Sequence, residues 1–291
     1  MSSIRVGFIG LGDIGLPMAK SLAKKGLPLT IYARRKEVVE EMKSLGATAA
    51  SSCREVAAAS DVLISVVRDI PQTEEVIFGK DGVWEGIKEG ATIVISSTIS
   101  SEYCQKLYAR AKERGVQVID AGLSKSGPTN EEGGFTLMVG GDEDAVKRCW
   151  PVFEAMAKHI FHLGGIGMGQ AYKLVNQLAG ISNGIITREC LNLGLKAGLD
   201  LQKMLDVIRV STGNSWRLES LDYMMKARKL RPAAKGPAAK APRRDLGTKD
   251  RDLAIKLAEK VGANIPLLRF IAELDAESAY DAYSAMMRQF D

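Results

Sequence analysis

The amino-acid sequence predicts an α/β protein in which a doubly wound sheet is followed by an all-α C-terminal domain. Short runs of apolar and β-branched residues alternate with amphipathic segments as far as residue 163, which is typical of βαβ units. The run 62–67 (VLISVV) is apolar almost throughout, as expected of a strand buried on both faces of a parallel sheet. Beyond Gly169 the spacing becomes helical, with one apolar stripe formed by Leu174, Leu178, Ile181 and Ile185.

The elements follow in chain order. Apolar runs predict strands at 5–9, 29–32, 62–67, 92–95, 116–119, 136–139 and 160–163. Periodicity and capping residues predict helices at 16–25, 201–210, 216–229 and 249–261, a long helix after Gly169, and a last one from Pro266 toward 287. We interpret the glycine cluster 164–169 as a hinge between the last strand and the long helix. The boundary is therefore placed at Gly164, which gives domains 1–164 and 165–291.

Composition and charge limit the classes of protein. The chain has 291 residues, 46% apolar and 26% charged, which is enough for two domains with hydrophobic cores. Its net charge of +5 arises in the segment 223–244, which holds eight basic and no acidic residues and leaves −3 on the rest. Such a local excess argues against a nucleic-acid groove across the molecule. The Pro-Ala-Ala-Lys repeat at 232–242 predicts an extended, solvated connector.

Cysteine and histidine usage argues against disulfides and metal sites. The four cysteines lie far apart without CxxC spacing, and there are only two histidines, His159 and His162, so we expect no metal. No apolar run reaches the ~18 residues of a membrane span, and the N-terminus enters a strand without a cleavable apolar stretch. We therefore expect a cytoplasmic protein without a membrane partner.

A glycine-rich motif follows the first predicted strand: Gly10, Leu11, Gly12, Asp13, Ile14 and Gly15. In a Rossmann-type domain these glycines allow a tight turn, close approach of the backbone to a pyrophosphate, and close packing of helix on strand. The strand before, the helix after and a second strand about 20 residues on supply the context that a lone G-x-G-x-x-G lacks. The sequence therefore predicts a dinucleotide site.

The end of the second strand bears on which dinucleotide binds. NAD-binding domains place Asp or Glu there, to accept hydrogen bonds from the ribose hydroxyls. This chain has Ala33, Arg34, Arg35 and Lys36, and its cations suit a 2′-phosphate. We expect NADP, and NAD stays open because exposed cations are also ordinary at a helix start.

Three polar residues on the predicted long helix are candidates for a substrate site. Lys173, Asn176 and Gln177 have i, i+3 and i+4 spacing, so they share one helix face near the domain boundary. A lysine and two amides at such a place suit a substrate. On spacing alone, a solvent-facing lysine near a helix start is the simpler interpretation.

Four motifs, in order across nearly the whole chain, resemble those of the β-hydroxyacid dehydrogenases, which include 3-hydroxyisobutyrate dehydrogenase, tartronate semialdehyde reductase (2-hydroxy-3-oxopropionate reductase) and succinic semialdehyde/glyoxylate reductases. The cofactor fingerprint is similar at 7–19 (GFIGLGDIGLPMA), and the substrate motif at 120–127 (DAGLSKSG) and 138–141 (MVGG). The catalytic motif G-x-G-x-x-x-K-x-x-N is matched at 167–176 (GMGQAYKLVN), and the late K-D motif at 249–254 (KDRDLA).

The resemblance implies interconversion of a small β-hydroxy acid and its semialdehyde, with Lys173 as acid/base and a homodimer or homotetramer as the assembly. The predicted contacts to the carboxylate-bearing substrate are Ser124, Lys125, Ser126, Asn176 and Gln177. The predicted cofactor contacts outside the glycine motif are Ala33, Arg34, Arg35, Val67, Thr98 and Lys249.

The substrate motif departs from the family pattern. Gly122 stands in place of a proline, and Lys125 and Ser126 in place of two glycines, so side chains project where bare backbone amides serve in the family. Lys125 either binds an anion, such as a second carboxylate or a phosphate, or turns to solvent, and the sequence leaves both open.

Two other functions stay open at this point. An imine reductase would share the fold, but such enzymes usually replace the catalytic lysine with Asp or Tyr. A non-catalytic chromatin or nucleic-acid binding relative would suit the basic connector, but such relatives have lost the lysine, and Lys173 is present.

Overall fold

The structure is a computed structural model that describes residues 4–125, 134–221 and 246–273. Its strands are β1 (Val6–Ile9), β2 (Leu29–Tyr32), β3 (Thr48–Ala49), β4 (Val62–Ser65), β5 (Thr92–Ile95), β6 (Gln117–Lys125), β7 (Phe135–Gly140) and β8 (His159–His162). They form one sheet in the order β3-β2-β1-β4-β5-β6-β7-β8.

Helices connect most of the strands and make up the rest of the described chain. Those of the first half are α1 (Gly15–Lys24), α2 (Lys36–Ser44), α3 (Cys53–Ala58), α4 (Ile70–Phe78), α5 (Val83–Gly86), α6 (Ser101–Lys112) and α7 (Glu143–Met156). They are followed by α8 (Met168–Lys196), α9 (Leu201–Arg209), α10 (Trp216–Glu219), α11 (Leu246–Val261) and α12 (Pro266–Glu273). Among these described helices, none is both long enough and apolar enough to cross a membrane.

The order of the strands reverses beside β1. The chain adds β2 and β3 on one side of β1 and then returns to add β4 and β5 on the other, with every one of these pairs parallel. The carboxyl ends of β1 and β4 therefore meet at one edge, where open α/β sheets bind ligands. The predicted α/β class, a Rossmann-type sheet followed by helices, is confirmed.

The second half of the sheet differs from the prediction of a parallel sheet. β7 is antiparallel to β6, with Asp120 opposite Gly140 and Lys125 opposite Phe135. The connection, residues 126–134, is too short for a parallel crossover, which needs a dozen residues or more. β6 also extends beyond the end predicted at residue 119, so 120–125 of the substrate motif lies on a strand.

Both faces of the sheet are buried, as the continuous apolar runs predict. Phe8 packs with Met18 of α1 and Phe153 of α7 on one face. The next residue along β1, Ile9, packs with Ile77 of α4 in a second cluster on the other face. This alternation is the period of two expected of a strand.

The chain divides into two compact units, 1–173 and 174–291, and the division falls within α8. The described part of the second unit is helical, with one cluster that includes Leu191, Leu205 and Leu218 and another that includes Leu174 and Leu268. The boundary predicted at Gly164 stays a prediction. The connector at 232–242 and most of the helix predicted at 216–229 lie outside the described residues.

Candidate active site

The glycine motif joins β1 to α1, and the fold itself requires two of its glycines. Gly10 has φ +97°, and a Cβ there would lie 2.1 Å from the Val66 carbonyl oxygen. A Cβ on Gly15 would lie 2.0 Å from the Gly10 carbonyl oxygen. A side chain at either position would therefore push the turn away from β4 or from α1.

Gly12 is different. Its φ is not in the left-handed region, it is exposed, and no described heavy atom lies within 4 Å of where its Cβ would stand. The described chain therefore does not require a glycine here. A pyrophosphate that approaches the backbone does require one, so the residues present fit a dinucleotide.

The end of β2 is tied to this motif. The Arg35 guanidinium donates a hydrogen bond to the Leu11 carbonyl oxygen at 2.8 Å. Ala33 packs against the apolar cluster of β1, whereas Arg34 is exposed. Arg35, one of the two arginines predicted to bind a phosphate, therefore also stabilises the glycine motif.

The ends of β4 and β5 bring Val67 and Thr98 to the same edge of the sheet. The Val66 amide donates to the Ile9 carbonyl oxygen at 2.9 Å, and the Val67 amide donates to Ser97 Oγ at 2.9 Å. Thr98, half-buried, follows Ser97 directly. The predicted cofactor contacts of the first unit therefore follow the ends of four adjacent strands, β2, β1, β4 and β5.

Gln170, fully buried at 0% exposure, connects α8 to both sides of Thr98. Its side-chain oxygen accepts from the Ile99 amide at 3.1 Å, and its side-chain nitrogen donates to the Ser97 carbonyl oxygen at 2.9 Å. The prediction from sequence assigned no role to Gln170, because an amide inside a helical motif has no local signal for partners 71 and 73 residues away.

Asp120 on β6 is also fully buried and holds the start of α8. Its Oδ1 accepts from the Gly167 amide at 2.5 Å, and its Oδ2 accepts from the Gln170 amide at 2.6 Å. Burial raises the pKa of this carboxyl to about 6, and the backbone amides that it accepts from partly offset that rise. The carboxyl group is therefore mostly ionised at neutral pH, where its charge complements the helix N-terminus.

Lys173 lies one turn further along α8 and is 6% exposed, so the solvent-facing interpretation is wrong. A Cβ on Gly122 would lie 2.7 Å from Lys173 Cβ and 3.0 Å from the Gly169 carbonyl oxygen. The absence of a side chain at Gly122 therefore allows the stem of the lysine to lie against β6.

Ser124 lies two residues beyond Gly122 on β6, so it shares the strand face that Lys173 contacts. It is half-buried and pairs with Thr136 of β7. Lys125 ends β6 opposite Phe135, whereas its side chain and the whole of Ser126 lie outside the described residues.

In the second unit, Gln177 and Lys249 meet at Asp250. The Gln177 side-chain nitrogen donates to Asp250 Oδ2 at 2.5 Å, and Lys249 Nζ lies 3.4 Å from Oδ1 of the same buried carboxylate. Asn176 is exposed on α8. The structure therefore gives Gln177 a partner on α11, beside the predicted cofactor lysine.

The glycine cluster 164–169, predicted as a hinge, spans the turn from β8 into the first residues of α8, and its role as a hinge stays a prediction. Gly164 and Gly167 have φ +118° and +91°, and α8 begins at Met168 directly after them. His162 Nε2 contacts the Gly141 and Gly164 carbonyl oxygens at 2.9 and 3.1 Å. In the described parts of the chain, no three His, Cys, Asp or Glu side chains are grouped to hold a metal ion.

Comparison with known proteins agrees with this geometry. Residues 5–164 match the family described as the NAD binding domain of 6-phosphogluconate dehydrogenase. Residues 167–286 match the family described as the NAD-binding domain of NADP-dependent 3-hydroxyisobutyrate dehydrogenase.

Two curated relatives span most of the chain. The 2-hydroxy-3-oxopropionate reductase of Escherichia coli K12 is 35% identical over 90% of this chain and 87% of its own length. The NAD-dependent L-serine dehydrogenase of Pseudomonas aeruginosa is 33% identical over 90% of this chain and 88% of its own length. The crystal structure of 3-hydroxyisobutyrate dehydrogenase from Salmonella typhimurium superposes with a TM-score of 0.80 at 27% identity, covering 97% of this chain and 96% of that one.

The chain belongs to the β-hydroxyacid dehydrogenase family. It is an oxidoreductase that uses a nicotinamide cofactor on a small-molecule substrate. Neither an imine reductase nor a chromatin-binding function is favoured by these relatives.

The contrast between Gly10 and Gly12 predicts that alanine affects cofactor binding at one position and stability at the other. Gly12→Ala should leave the free energy of unfolding within about 0.5 kcal/mol of wild type. Its side chain should nevertheless weaken cofactor binding by about tenfold or more, because a methyl group would occupy the path of the pyrophosphate. Gly10→Ala should lower the free energy of unfolding by about 2 kcal/mol or more, because it combines strained backbone with overlap on Val66.

Urea titration and fluorescence titration with NADPH check this contrast, with Gly46→Ala as a control for a positive-φ glycine in open space. If Gly12→Ala and Gly10→Ala lost stability equally and Gly12→Ala kept its cofactor affinity, the dinucleotide would not lie on this loop.

Proposed function

We propose that the enzyme interconverts a small carboxylate-bearing semialdehyde and its β-hydroxy acid, of the 2-hydroxy-3-oxopropionate, succinic semialdehyde or 3-hydroxyisobutyrate type. NADP is the preferred cofactor, and Lys173 is the acid/base. The observation that carries the proposal is a lysine that is 94% buried on a helix bonded to the Thr98 loop at the carboxyl end of β5. Lysine side chains are almost never buried to this extent unless they are paired.

The reduction needs a hydride and a proton. A bound nicotinamide supplies the hydride to the aldehyde carbon. The Lys173 ammonium group donates a proton to the developing alkoxide and stabilises its negative charge. In the oxidative direction the neutral amine accepts that proton. Because the stem of Lys173 packs against Gly122 on β6, the proton is delivered from a fixed point.

Ser124 is proposed to bind the substrate carboxylate, together with Lys125 and Ser126. The alternation of side chains along β6 supports this role, because Ser124 and Gly122 share the face against which Lys173 lies. Asn176 and Gln177 are proposed to orient the substrate. The hydrogen bond from Gln177 to Asp250 also suits a second role, because it holds the carboxylate that Lys249 contacts.

The preference for NADP rests on the end of β2. Arg34 is exposed and directly follows Ala33, where NAD enzymes have an acid. Arg35, held by the Leu11 carbonyl oxygen, keeps its guanidinium beside the glycine motif. These cations support recognition of a 2′-phosphate.

Assembly and location complete the proposal. We propose that residues 165–291 form a helical domain that closes over the cofactor and carries a homodimer or homotetramer interface. Large apolar side chains of α8 that are exposed in the single chain support this: Tyr172, Val175, Ile186 and Leu193. Sedimentation velocity should then find no monomer at micromolar concentration.

The cellular location is proposed from the cysteines. None of the four cysteines forms a disulfide, which suits a cytoplasmic location.

Removal of the Lys173 amine should greatly lower turnover without loss of cofactor binding. Lys173→Ala is expected to lower kcat by about 100-fold or more, the usual contribution of general acid–base catalysis. The affinity for NADPH should change by less than about twofold, because the glycine motif lies on another element. Lys196→Ala, an exposed lysine at the other end of α8, is the control and should keep wild-type kcat.

The assay follows NADPH oxidation with a panel of semialdehydes, glyoxylate and cyclic imines. If Lys173→Ala kept most of the wild-type kcat, Lys173 would not be the acid/base. Turnover confined to the cyclic imines would replace the proposed substrate class.

Arg34→Ala should separate the two cofactors. Loss of a charge-assisted bond to the 2′-phosphate should raise KM for NADPH by about tenfold or more and leave KM for NADH unchanged. Arg35→Ala should raise KM for both cofactors, because it also removes the hydrogen bond to the Leu11 carbonyl oxygen. Lys43→Ala on α2 is the control. A wild-type preference for NADH, or equal losses for both cofactors in Arg34→Ala, would refute NADP as the preferred cofactor.

A further inference from the structure

The start of α8 is bound in an uncommon way. Gly167 and Gln170 contribute amide groups at the helix N-terminus, which have no partners within the helix itself. The two oxygens of Asp120, 47 and 50 residues earlier in the chain, accept one bond from each. Where other described helices have an N-terminal side-chain cap, it comes from the residue just before the helix, as from Ser52 for α3 and Ser100 for α6.

The backbone around Asp120 is shaped to admit this contact. A Cβ on Gly140 would lie 2.6 Å from Asp120 Oδ1, and a Cβ on Gly169 would lie 2.8 Å from Oδ2 and 2.3 Å from the Met138 carbonyl oxygen. The Ser101 hydroxyl also donates to the Gly167 carbonyl oxygen at 2.8 Å. The first turn of α8 is therefore held from β6, β7 and α6 at once.

Burial of a charged group costs free energy, and a neutral side chain could cap this helix without that cost. A serine or asparagine caps a helix about as well as aspartate and without a buried charge. The burial that raises the pKa of Asp120 is that cost. A role in helix stability alone does not explain why a buried carboxylate occupies this place.

Two further contacts connect this turn to groups of the proposed reaction. Gln170 binds the Ser97 carbonyl oxygen and the Ile99 amide on either side of Thr98. Lys173 follows Gln170 by three residues and packs against Gly122, two residues after Asp120 on the same face of β6. A shift or rotation of the first turn would therefore move the lysine and the Thr98 loop relative to each other.

We propose that Asp120 and Gln170 are positioning residues that set the place of Lys173 and of the Thr98 loop, and so the alignment of proton and hydride transfer. The inference rests on the proposed function of Lys173. Neither residue touches the reacting atoms in this account. Misplacement of a reacting group by about 1 Å can cost up to about 100-fold in rate, so their loss should be seen in kcat.

Isosteric variants test this. Asp120→Asn keeps the shape and one acceptor, but its amide nitrogen must face one of the two amide donors. Gln170→Glu keeps the acceptor for the Ile99 amide and loses the donor to the Ser97 carbonyl oxygen. Each should lower kcat by about tenfold or more, while KM for NADPH stays within about threefold of wild type.

The matched control is Asp200→Asn. Asp200 caps α9 by accepting from the Lys203 amide at 2.9 Å, and α9 carries no predicted site residue. This variant should keep wild-type kcat within about twofold. Gln170→Asn, whose shorter side chain cannot reach both the Ile99 amide and the Ser97 carbonyl oxygen, replaces Gln170→Glu if that variant does not fold.

Amide hydrogen exchange supplies a readout that does not need turnover. Faster exchange of residues 167–173 is expected in Asp120→Asn, with exchange of the glycine motif unchanged. If the wild-type enzyme were inactive on the whole substrate panel, the proposed function would be refuted. Amide hydrogen exchange would then still test whether Asp120 holds the first turn of α8. Wild-type kcat in both Asp120→Asn and Gln170→Glu, or a loss confined to KM for NADPH, would overturn the positioning role.

Discussion

Two hydrogen bonds join the first turn of α8 to the Asp120 carboxylate, and the proposed active site is built around them. They join this turn to β6, the sixth of the eight strands across the sheet, and Gln170 lies in the turn with Lys173 three residues further along. The close approach is possible because Gly122, Gly140 and Gly169 leave no side chain between helix and strands. The proposed catalytic geometry therefore depends on close backbone contact, with the buried Asp120 carboxylate as its anchor.

Glycines serve two separate purposes in the molecule, and the structure distinguishes them. At Gly10 a side chain would meet the Val66 backbone, whereas at Gly12 no described heavy atom lies within 4 Å of the Cβ position. The described fold does not require a glycine at position 12, which is what close approach of a pyrophosphate to the backbone would explain. In the same way, Arg35 serves the loop and Arg34 remains available to the ligand.

Local rules were sufficient for much of the fold. Continuous apolar runs predict β1, β2, β4 and β5, and the G-x-G-x-x-G motif predicts the turn between β1 and α1. The antiparallel β7 depends on the length of a connection, which hydrophobicity does not report. The two-residue β3 is exposed and has no apolar run to reveal it.

The site was less accessible to sequence reasoning. Spacing alone favoured a solvent-facing Lys173, and only the family motifs pointed to the buried lysine that the structure contains. The partners of Asp120 and Gln170 lie at least 47 residues away along the chain, so no local pattern reveals them. An isolated carboxyl group in the apolar run around Asp120 was the one available sign, since such a group must find donors when it is buried.

Transfer of a hydride to the carbon of a small semialdehyde is the central claim. It is tested most directly with NADPH that carries deuterium at the transferred position of the nicotinamide, incubated with the enzyme and 2-hydroxy-3-oxopropionate or succinic semialdehyde. The account predicts a hydroxy acid with one deuterium on the carbon that bears the new hydroxyl group, as measured by NMR. A protein that binds the cofactor and transfers no deuterium to any semialdehyde would contradict it.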